Sequence, residues 1–431
     1  MTGPNPPASV SATTELHCDS SPLHDLIVIG GGPAGFMAAI TAAEQGCQRV
    51  LVLEATPDPL TKVRISGGGR CNVTHACWDP RELVGHYPRG SRPLRGPFSR
   101  FACGDAVGWF SDHGLELVEE PDGRMFPQAN RSEAVIDCLL KASRAVGVAL
   151  ECRAPVRRVE TTQAGFVVHG SGGRVWRGCR LLLATGGHPS GRRFAQLLGH
   201  GVTPPLPSLF TLALEAPAIT ACSGIALDDV SLEVKCDQQR FRQTGRVLIT
   251  HWGLSGPATL RLSAFAARAL HGQRYRGVLL VRWVGGHTLD QVASELAQLR
   301  REQPRRSLAV ARPWPERLPR RLWLALLSQV GADSQRRWAD CPGSWERALA
   351  QALTGSRYPI RGRGPFGEEF VTAGGVDLGE INLATMESRR LPGLYLAGEL
   401  MDVDGVTGGF NFQHCWSSGW LAGQAIAASL S

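Results

Sequence analysis

Residues Asp25 to Glu54 read DLIVIGGGPAGFMAAITAAEQGCQRVLVLE. Asp25 to Ile29 is a short, apolar, β-branched run of the kind buried in a parallel sheet. Phe36 to Ala43 is an alanine-rich stretch of high helix propensity, Gly46 ends it, and Val50 to Glu54 supplies a second strand. Between the first strand and the helix lies GGGPAG, Gly30 to Gly35. Strand, glycine turn, helix and strand make one βαβ unit of about 30 residues. Each glycine has its own reason to be there. Gly30 permits a tight exit from the strand, Gly32 lets backbone approach a pyrophosphate, and Gly35 lets helix and strand pack closely. Pro33 and Ala34 complete the turn, and the N–H groups of the first helical turn face the phosphates. Glu54 lies 19 residues beyond Gly35. An acid there accepts hydrogen bonds from ribose hydroxyls and repels a 2′-phosphate.

Working outward, 431 residues are too many for one ordinary core, so two or three domains are expected. With 43% apolar and 19% charged residues the composition is that of a globular protein. No stretch reaches the roughly 18 uninterrupted apolar residues of a membrane span. Residues 1–24 are polar and rich in Pro, Ser and Thr, without a basic start and apolar run. They read as an unstructured tail rather than a secretion signal, and the protein as cytoplasmic. Twelve cysteines without a C-x-x-C pair or zinc spacing suggest small buried apolar residues in a reducing compartment, and no metal site is expected. The net charge of +8 is carried by 43 arginines and only Lys62, Lys141 and Lys235. Two readings of the excess stand: a bias of coding toward Arg, or an anionic partner gripped bidentately.

Further along, residues 55–131 look irregular, and residues 132–151 look like a helix leading into a strand. Val156 to Val168 and Val175 to Ala184 read as a hairpin returning to the parallel sheet. From Gly201 to Gly286 the pattern becomes short β-like runs with few helical stretches. Residues 287–353 read as helical, with Trp314, Trp323, Trp338 and Trp345. The chain closes with Gly393 to Glu399 as a strand and a last helix starting around Gln413. The expected fold is α/β: a discontinuous Rossmann-like domain (25–200 and 359–431), an inserted β-rich, barrel-like domain (201–286 and 354–358), and a helical subdomain (287–353).

The cofactor expectation comes from three separated pieces in order: the Gly30 to Gly35 turn, ATGG at Ala184 to Gly187, and YLAGE at Tyr395 to Glu399. Together they resemble the flavin signatures of the glutathione-reductase-like fold, in which the terminal acid binds the ribityl chain. Glu399 stands where Asp is more common. Four longer segments carry a narrower resemblance: KVRISGGGRCNVTH (Lys62 to His75), GRMFPQ (Gly123 to Gln128), THWGLSGPATLRLSA (Thr250 to Ala264) and AGELMDVDGVTGGFNFQHCWSSGWLAG (Ala397 to Gly423). They resemble the BaiN/RdsA-like, HI0933-like flavoproteins, also called the aminoacetone oxidase family, from about Asp25 to the end. One departure is a compact HPSGRRF, His188 to Phe194, where many members carry a longer loop. The resemblance implies FAD, held by Gly30, Gly32, Pro33, Ala34, Gly35, Glu54, Lys62, Ser66, Gly67, Gly68, Gly69, Arg70, Cys71, Asn72, Val156, Thr185, Gly186, Gly187, Gly398, Glu399, Asp402, Gly408, Gly409, Phe410, Asn411 and Gln413. Physically, Ser66 to Asn72 offers backbone N–H groups to a flat ligand, and Arg70 a positive charge. Gly408 to Gln413 opens the last helix and aims its dipole at the flavin.

The groups that do chemistry are less legible, because the cofactor does most of it. Cys71 reads either as a proton donor or redox partner, or as inert packing. His251 either faces the flavin from the second domain or is structural. Asp402 and Asp404 hold loops or bind the ribityl chain, and Arg124 holds an acidic substrate or pairs with Glu119, Glu120 or Asp122. Nothing after Gly201 repeats the nucleotide-binding turn, so NAD(P)H, if it is the donor, docks transiently. The family implies hydride delivery to a conjugated C=C bond of a small molecule, or reduction of uridine in ribosomal RNA; amine oxidation and a non-catalytic redox sensor are the other expectations. Arg300 to Arg321 holds eight Arg against two Glu, with Trp314 among them. It reads as an RNA-binding stretch or as a solvated basic face.

Overall fold

A computed structural model of the chain describes residues 22–364 and 371–431. The expected tail, residues 1–24, lies outside the described residues except for its last three, of which Leu23 and His24 already belong to the first strand. In chain order the first domain begins with β1 (Leu23–Ile29), α1 (Pro33–Glu44) and β2 (Val50–Leu53). It continues with one-turn helices α2 (Thr61–Ile65), α3 (Pro80–Leu83) and α4 (Arg95–Phe98), and with α5 (Cys103–Asp112). Among these run β3 (Thr74–His75), β4 (Leu117–Glu119) and β5 (Arg124–Pro127), followed by α6 (Ser132–Ala145) and β6 (Ala149–Glu151). The hairpin β7 (Val156–Thr162) and β8 (Gly165–Gly170) leads into β9 (Val175–Leu183) and α7 (Pro189–Leu197).

The second domain holds β10 (Leu206–Ser208), β11 (Leu212–Leu214), α8 (Pro217–Thr220), β12 (Ala226–Cys236), β13 (Gln239–Thr250), β14 (Gly253–Ser255), α9 (Pro257–Gly272) and β15 (Gly277–Arg282). Three helices follow, α10 (Leu289–Glu302), α11 (Arg320–Gln329) and α12 (Gly343–Gly355), with Trp323 and Trp338 fully buried among them. Strand β16 (Ser356–Arg363) returns to the barrel. The chain then ends with β17 (Val371–Ala373), β18 (Ile381–Asn382), β19 (Glu387–Ser388), β20 (Leu394–Leu396) and α13 (Phe410–Ala428).

Strands β20, β9, β1, β2 and β6 are neighbours in that order and parallel, so sequence from both ends of the chain meets in one sheet. The β1 and β2 core positions are completely apolar and buried, as a sheet covered on both faces requires. Helices α1 and α13 pack side by side on it: an added Cβ on Gly419 or Gly423 would meet α1 backbone within 3.0 Å. The second domain is a closed six-stranded barrel, β11-β14-β13-β12-β15-β16.

Sequence pattern and structure differ in four places. The stretch read as irregular contains α5 and the small sheet β3-β5-β4. The region read as poor in helix contains α9, 16 residues long. The barrel is closed by a strand running to Arg363, beyond the expected return at 354–358, because Gly362 still pairs with Ala213. The last helix starts at Phe410, three residues before Gln413, capped by Gly409 at φ 89°.

Candidate functional site

The glycine turn sits at the C-terminal ends of β1 and β2. An added Cβ at Gly30 would lie 2.4 Å from the Ala184 carbonyl oxygen, and one at Gly35 would lie 2.1 Å from the Gly30 carbonyl oxygen. Both glycines are therefore demanded by the protein's own packing. Gly32 is different. Its φ of −95° and ψ of −174° suit any residue, and an added Cβ would meet nothing within 4 Å. Neither strain nor packing explains it, which is the arrangement a closely approaching ligand leaves behind. Pro33 is the first residue of α1, Ala34 is buried behind it, and the helix start has neither a side-chain cap nor an acid in its first turn. Glu54 directly follows β2 and folds back over the turn: Oε2 accepts from Gly31 N at 2.9 Å, and Oε1 from Thr56 N and Oγ1 at 2.8 Å. Val156, half-buried, opens β7 on the stretch that follows Glu54's backbone partner Ala154.

The second wall is the Ser66 to Asn72 loop. Gly67, Gly68 and Gly69 all take positive φ (56°, 69° and 85°), and added Cβ atoms on Gly68 and Gly69 would meet nothing. Arg70 leaves this wall sideways, donating to Glu120 and Asn130 and lying 3.9 Å over the Phe126 ring. Arg124 pairs with Glu120 and Asp122. Asn72, oriented to satisfy both ends of its amide, donates to the Thr74 carbonyl at 2.8 Å and accepts from Gly409 N at 3.0 Å. That bond ties the loop to the start of α13.

Cys71 has positive φ (60°) and is 0% exposed, packed with Phe36, Val63 and Val73. Burial pushes its thiol up to about 12, against a smaller opposing effect of the Ser66 hydroxyl. A thiol with no exposed surface does not reach a substrate, and burial keeps it protonated near neutrality, so its expected role as proton donor or redox partner gives way to packing. Gln413 is corrected in the same way. Its side chain is 0% exposed, accepting from Thr74 Oγ1 at 2.5 Å and donating to Ser417 at 3.0 Å, and so braces the glycine turn from behind. Asn411 clasps Gly405 through both N–H and C=O. Phe410 is buried, its ring stacked on His86 (4.1 Å) and His75 (4.7 Å).

The third wall joins the middle and the end of the first domain. Lys62 forms an ion pair with Glu399, beside Gly186 and Gly187. Thr185 Oγ1 is buried without a hydrogen-bond partner. Gly398 takes φ 70° and its N–H is held by Ser418 at 2.9 Å. Asp402 is engaged by Arg268 of the barrel domain at 2.6 Å. Asp404, 0% exposed, forms a buried ion pair with Arg89, which also donates to the Ala264 carbonyl at 2.6 Å and Ser208 at 3.1 Å. Both aspartates thus fasten the two domains, Asp402 through Arg268 and Asp404 through Arg89 and the Ser208 hydroxyl. His251 is exposed on the β13–β14 turn.

Sequence reasoning missed the His75–His86–Phe410 stack and the Arg89–Asp404 clamp, which join residues hundreds of positions apart. His75 lies inside the quoted Lys62 to His75 segment, and Phe410 and Asp404 inside the quoted Ala397 to Gly423 segment, but nothing in the sequence pairs them with His86 and Arg89. Burial lowers the His86 pKa to about 4, assisted by His75 and the positive charge of Arg261. Burial also lowers His75, opposed by the Asp122 carbonyl.

These residues fit FAD: a glycine without a protein reason at Gly32, an acid directly after β2, and two helix starts, α1 and α13, that open on glycine without a side-chain cap. Fold and site together define a Rossmann-type FAD-dependent oxidoreductase. Residues 24–425 match the family model described as "HI0933-like protein Rossmann domain", and the chain belongs to that family. It is 31% identical over 421 residues, 94% of this chain and 99% of the other, to a ribosomal RNA dihydrouridine synthase of Escherichia coli (strain K12). It is 29% identical over 412 residues, 93% and 98% of the two chains, to a 3-dehydro-bile acid delta(4,6)-reductase of Clostridium scindens. Among solved structures, a 3-ketosteroid delta1-dehydrogenase of Sterolibacterium denitrificans shares the fold, with a TM-score of 0.50 at 14% identity over 94% of this chain and 100% of that one.

Proposed function

We propose that the protein reduces a C=C bond conjugated to a carbonyl group in a small molecule. The observation that carries this reading is that two relatives aligned over more than nine-tenths of the chain act on dissimilar molecules by one kind of reaction, saturation of such a bond. FAD, once bound and reduced, supplies the hydride. The chain's own work is holding and shielding. Glu54 takes the ribose end, the N–H groups of α1 face the phosphates, and the Lys62–Glu399 pair borders the chain between phosphates and ring. The N-terminal dipole of α13 favours negative charge beside Gly409. The rings of Phe410, His75 and His86 keep that end of the cleft dry. His86, neutral at physiological pH, adds no positive charge. NAD(P)H is the donor we propose, docking transiently on the FAD domain.

A second substrate reading, uridine in ribosomal RNA, is favoured by the helical subdomain. Arg301, Arg305, Arg306 and Arg320 are exposed and form no ion pair among the described residues, while Arg300, Arg312, Arg317 and Arg321 are tied to the protein. We place the protein in the cytoplasm: all eleven described cysteines are free, and among the described residues no helix is long and apolar enough to cross a membrane. The test is anaerobic. The FAD-loaded protein is reduced with NADPH or NADH, then offered 2-cyclohexen-1-one, uridine or ribosomal RNA, and reoxidation is followed. Dihydrouridine mapping of ribosomal RNA from a deletion strain separates the two substrates. Failure of every conjugated carbonyl to reoxidise the protein removes the reading.

A further inference from the structure

Helix α9 lies between the two cores. Ala258, Leu262, Ala266 and Leu270 belong to the barrel core, whereas Ala264 belongs to the FAD-domain core, with Leu260 and Phe265 packed against it. The side turned to the FAD domain is polar at three levels. At one, the Ala264 carbonyl accepts from Arg89, which is neutralised by Asp404. A turn further on, Arg268 is neutralised by Asp402. A turn before, Arg261 has no carboxylate within ion-pair distance among the described residues.

Arg261 is half-buried. One terminal nitrogen donates to the Thr244 carbonyl at 2.8 Å, and its Nε is enclosed without any hydrogen-bond partner. Its charge is felt at His86, whose ring stacks on Phe410, the first residue after the Gly408–Gly409 turn. An enclosed, unneutralised guanidinium with an unused donor is costly unless something completes it. Arg261 stands one helical turn before Ala264, whose carbonyl is held by Arg89 of the FAD domain, and so lies on α9 beside the seam between the two domains.

We propose that Arg261 binds the carbonyl oxygen of the substrate and carries the negative charge that builds there during reduction. The inference rests on the conjugated-carbonyl reading above. In that reaction a hydride, one hydrogen nucleus with two electrons, forms a C–H bond at the β-carbon while the C=C π pair shifts toward the carbonyl oxygen. A proton from water then reaches the α-carbon, leaving a saturated carbonyl and hydroxide that the solvent neutralises. The reduced cofactor is oxidised and is restored by the nicotinamide donor. The charge appears on the oxygen assigned to Arg261, and a guanidinium both neutralises such a charge and donates to it.

The test uses the FAD-loaded full-length protein and R261A, R261Q and R261K. The binding probe is 4-chlorophenolate, a stable mimic of the oxyanion, titrated against the oxidised protein and read as a change in the flavin absorption band. Turnover is measured with 2-cyclohexen-1-one and uridine. FAD content and thermal midpoint are measured in parallel. The expected result is phenolate affinity and kcat/KM lowered roughly 10- to 100-fold in R261A and R261Q, a smaller loss in R261K, and partial rescue of R261A by added guanidinium ion. FAD content stays at the wild-type level. Variants that bind phenolate within about twofold of wild type, in a protein that reduces the enone, overturn the role of Arg261 and leave the functional reading standing. So does loss of activity that follows loss of FAD in all three variants without guanidinium rescue, since Arg261 then only props the Thr244 carbonyl. Wild-type protein that reduces no conjugated carbonyl overturns both.

Discussion

Replacing Gly32 by Ala separates ligand binding from folding at one atom. An added methyl at Gly32 has no protein neighbour within 4 Å and the backbone is extended, so nothing in the protein itself resists it. Loss of glycine's freedom in the unfolded chain should stabilise the apoprotein by about 0.4–1 kcal/mol. With FAD the same methyl stands where backbone must approach the pyrophosphate. Pressing a methyl into a filled site costs about 1–3 kcal/mol, which weakens FAD binding roughly 5- to 150-fold. The two quantities are measured on one sample, urea unfolding for the apoprotein and quenching of FAD fluorescence for affinity. Gly35→Ala is the counterpart. Its Cβ would sit 2.1 Å from the Gly30 carbonyl oxygen, so the apoprotein itself should be destabilised. Wild-type FAD affinity in G32A would refute the assignment of the turn to the pyrophosphate, whatever the unfolding data showed.

Three further outcomes are expected. Arg89→Met leaves Asp404 fully buried without its partner and should destabilise the protein by about 3–5 kcal/mol, measured by urea unfolding; a loss below about 1 kcal/mol would show that the clamp does not hold the domains. Burial holds His414 at about 4, below its ordinary 6.5. The unfolded chain therefore binds the extra proton, and this group's contribution to stability is complete above about pH 6.5 and is lost as pH falls toward about 4, by up to about 3 kcal/mol; a His414→Gln variant should show a shallower acid loss. Neutralising Arg301, Arg305, Arg306 and Arg320 together should lower the salt dependence of ribosomal RNA binding by roughly three units of slope if the second substrate reading holds, and an unchanged slope would remove this face from any RNA contact.

What was legible in the sequence was local. The βαβ unit could be read because its strands are uniformly apolar, its helix is alanine-rich and its glycines fall at fixed offsets, all within Asp25 to Glu54. Helix α9 was not, because it begins Gly256-Pro257 inside a run of short strands, and its apolar positions serve two cores on different sides, which blurs the single stripe that a surface helix shows. The small sheet β3-β5-β4 escaped because strands of two to four residues carry no periodicity. At the site, turn residues announced themselves by composition, but partners did not. Cys71 and Gln413 look like ligand contacts when placed beside glycines in a motif, and only their burial shows them to be packing. Arg261 is one of 43 arginines until α9 places it one turn before Ala264 at the seam between the domains, with its Nε unpartnered.

The most direct measurement is the absorption spectrum of the purified chain together with its flavin stoichiometry after reconstitution. The account predicts a yellow protein with a band near about 450 nm, one FAD released per chain on denaturation, and tight rebinding of FAD by the apoprotein. A colourless protein that takes up no FAD would contradict it.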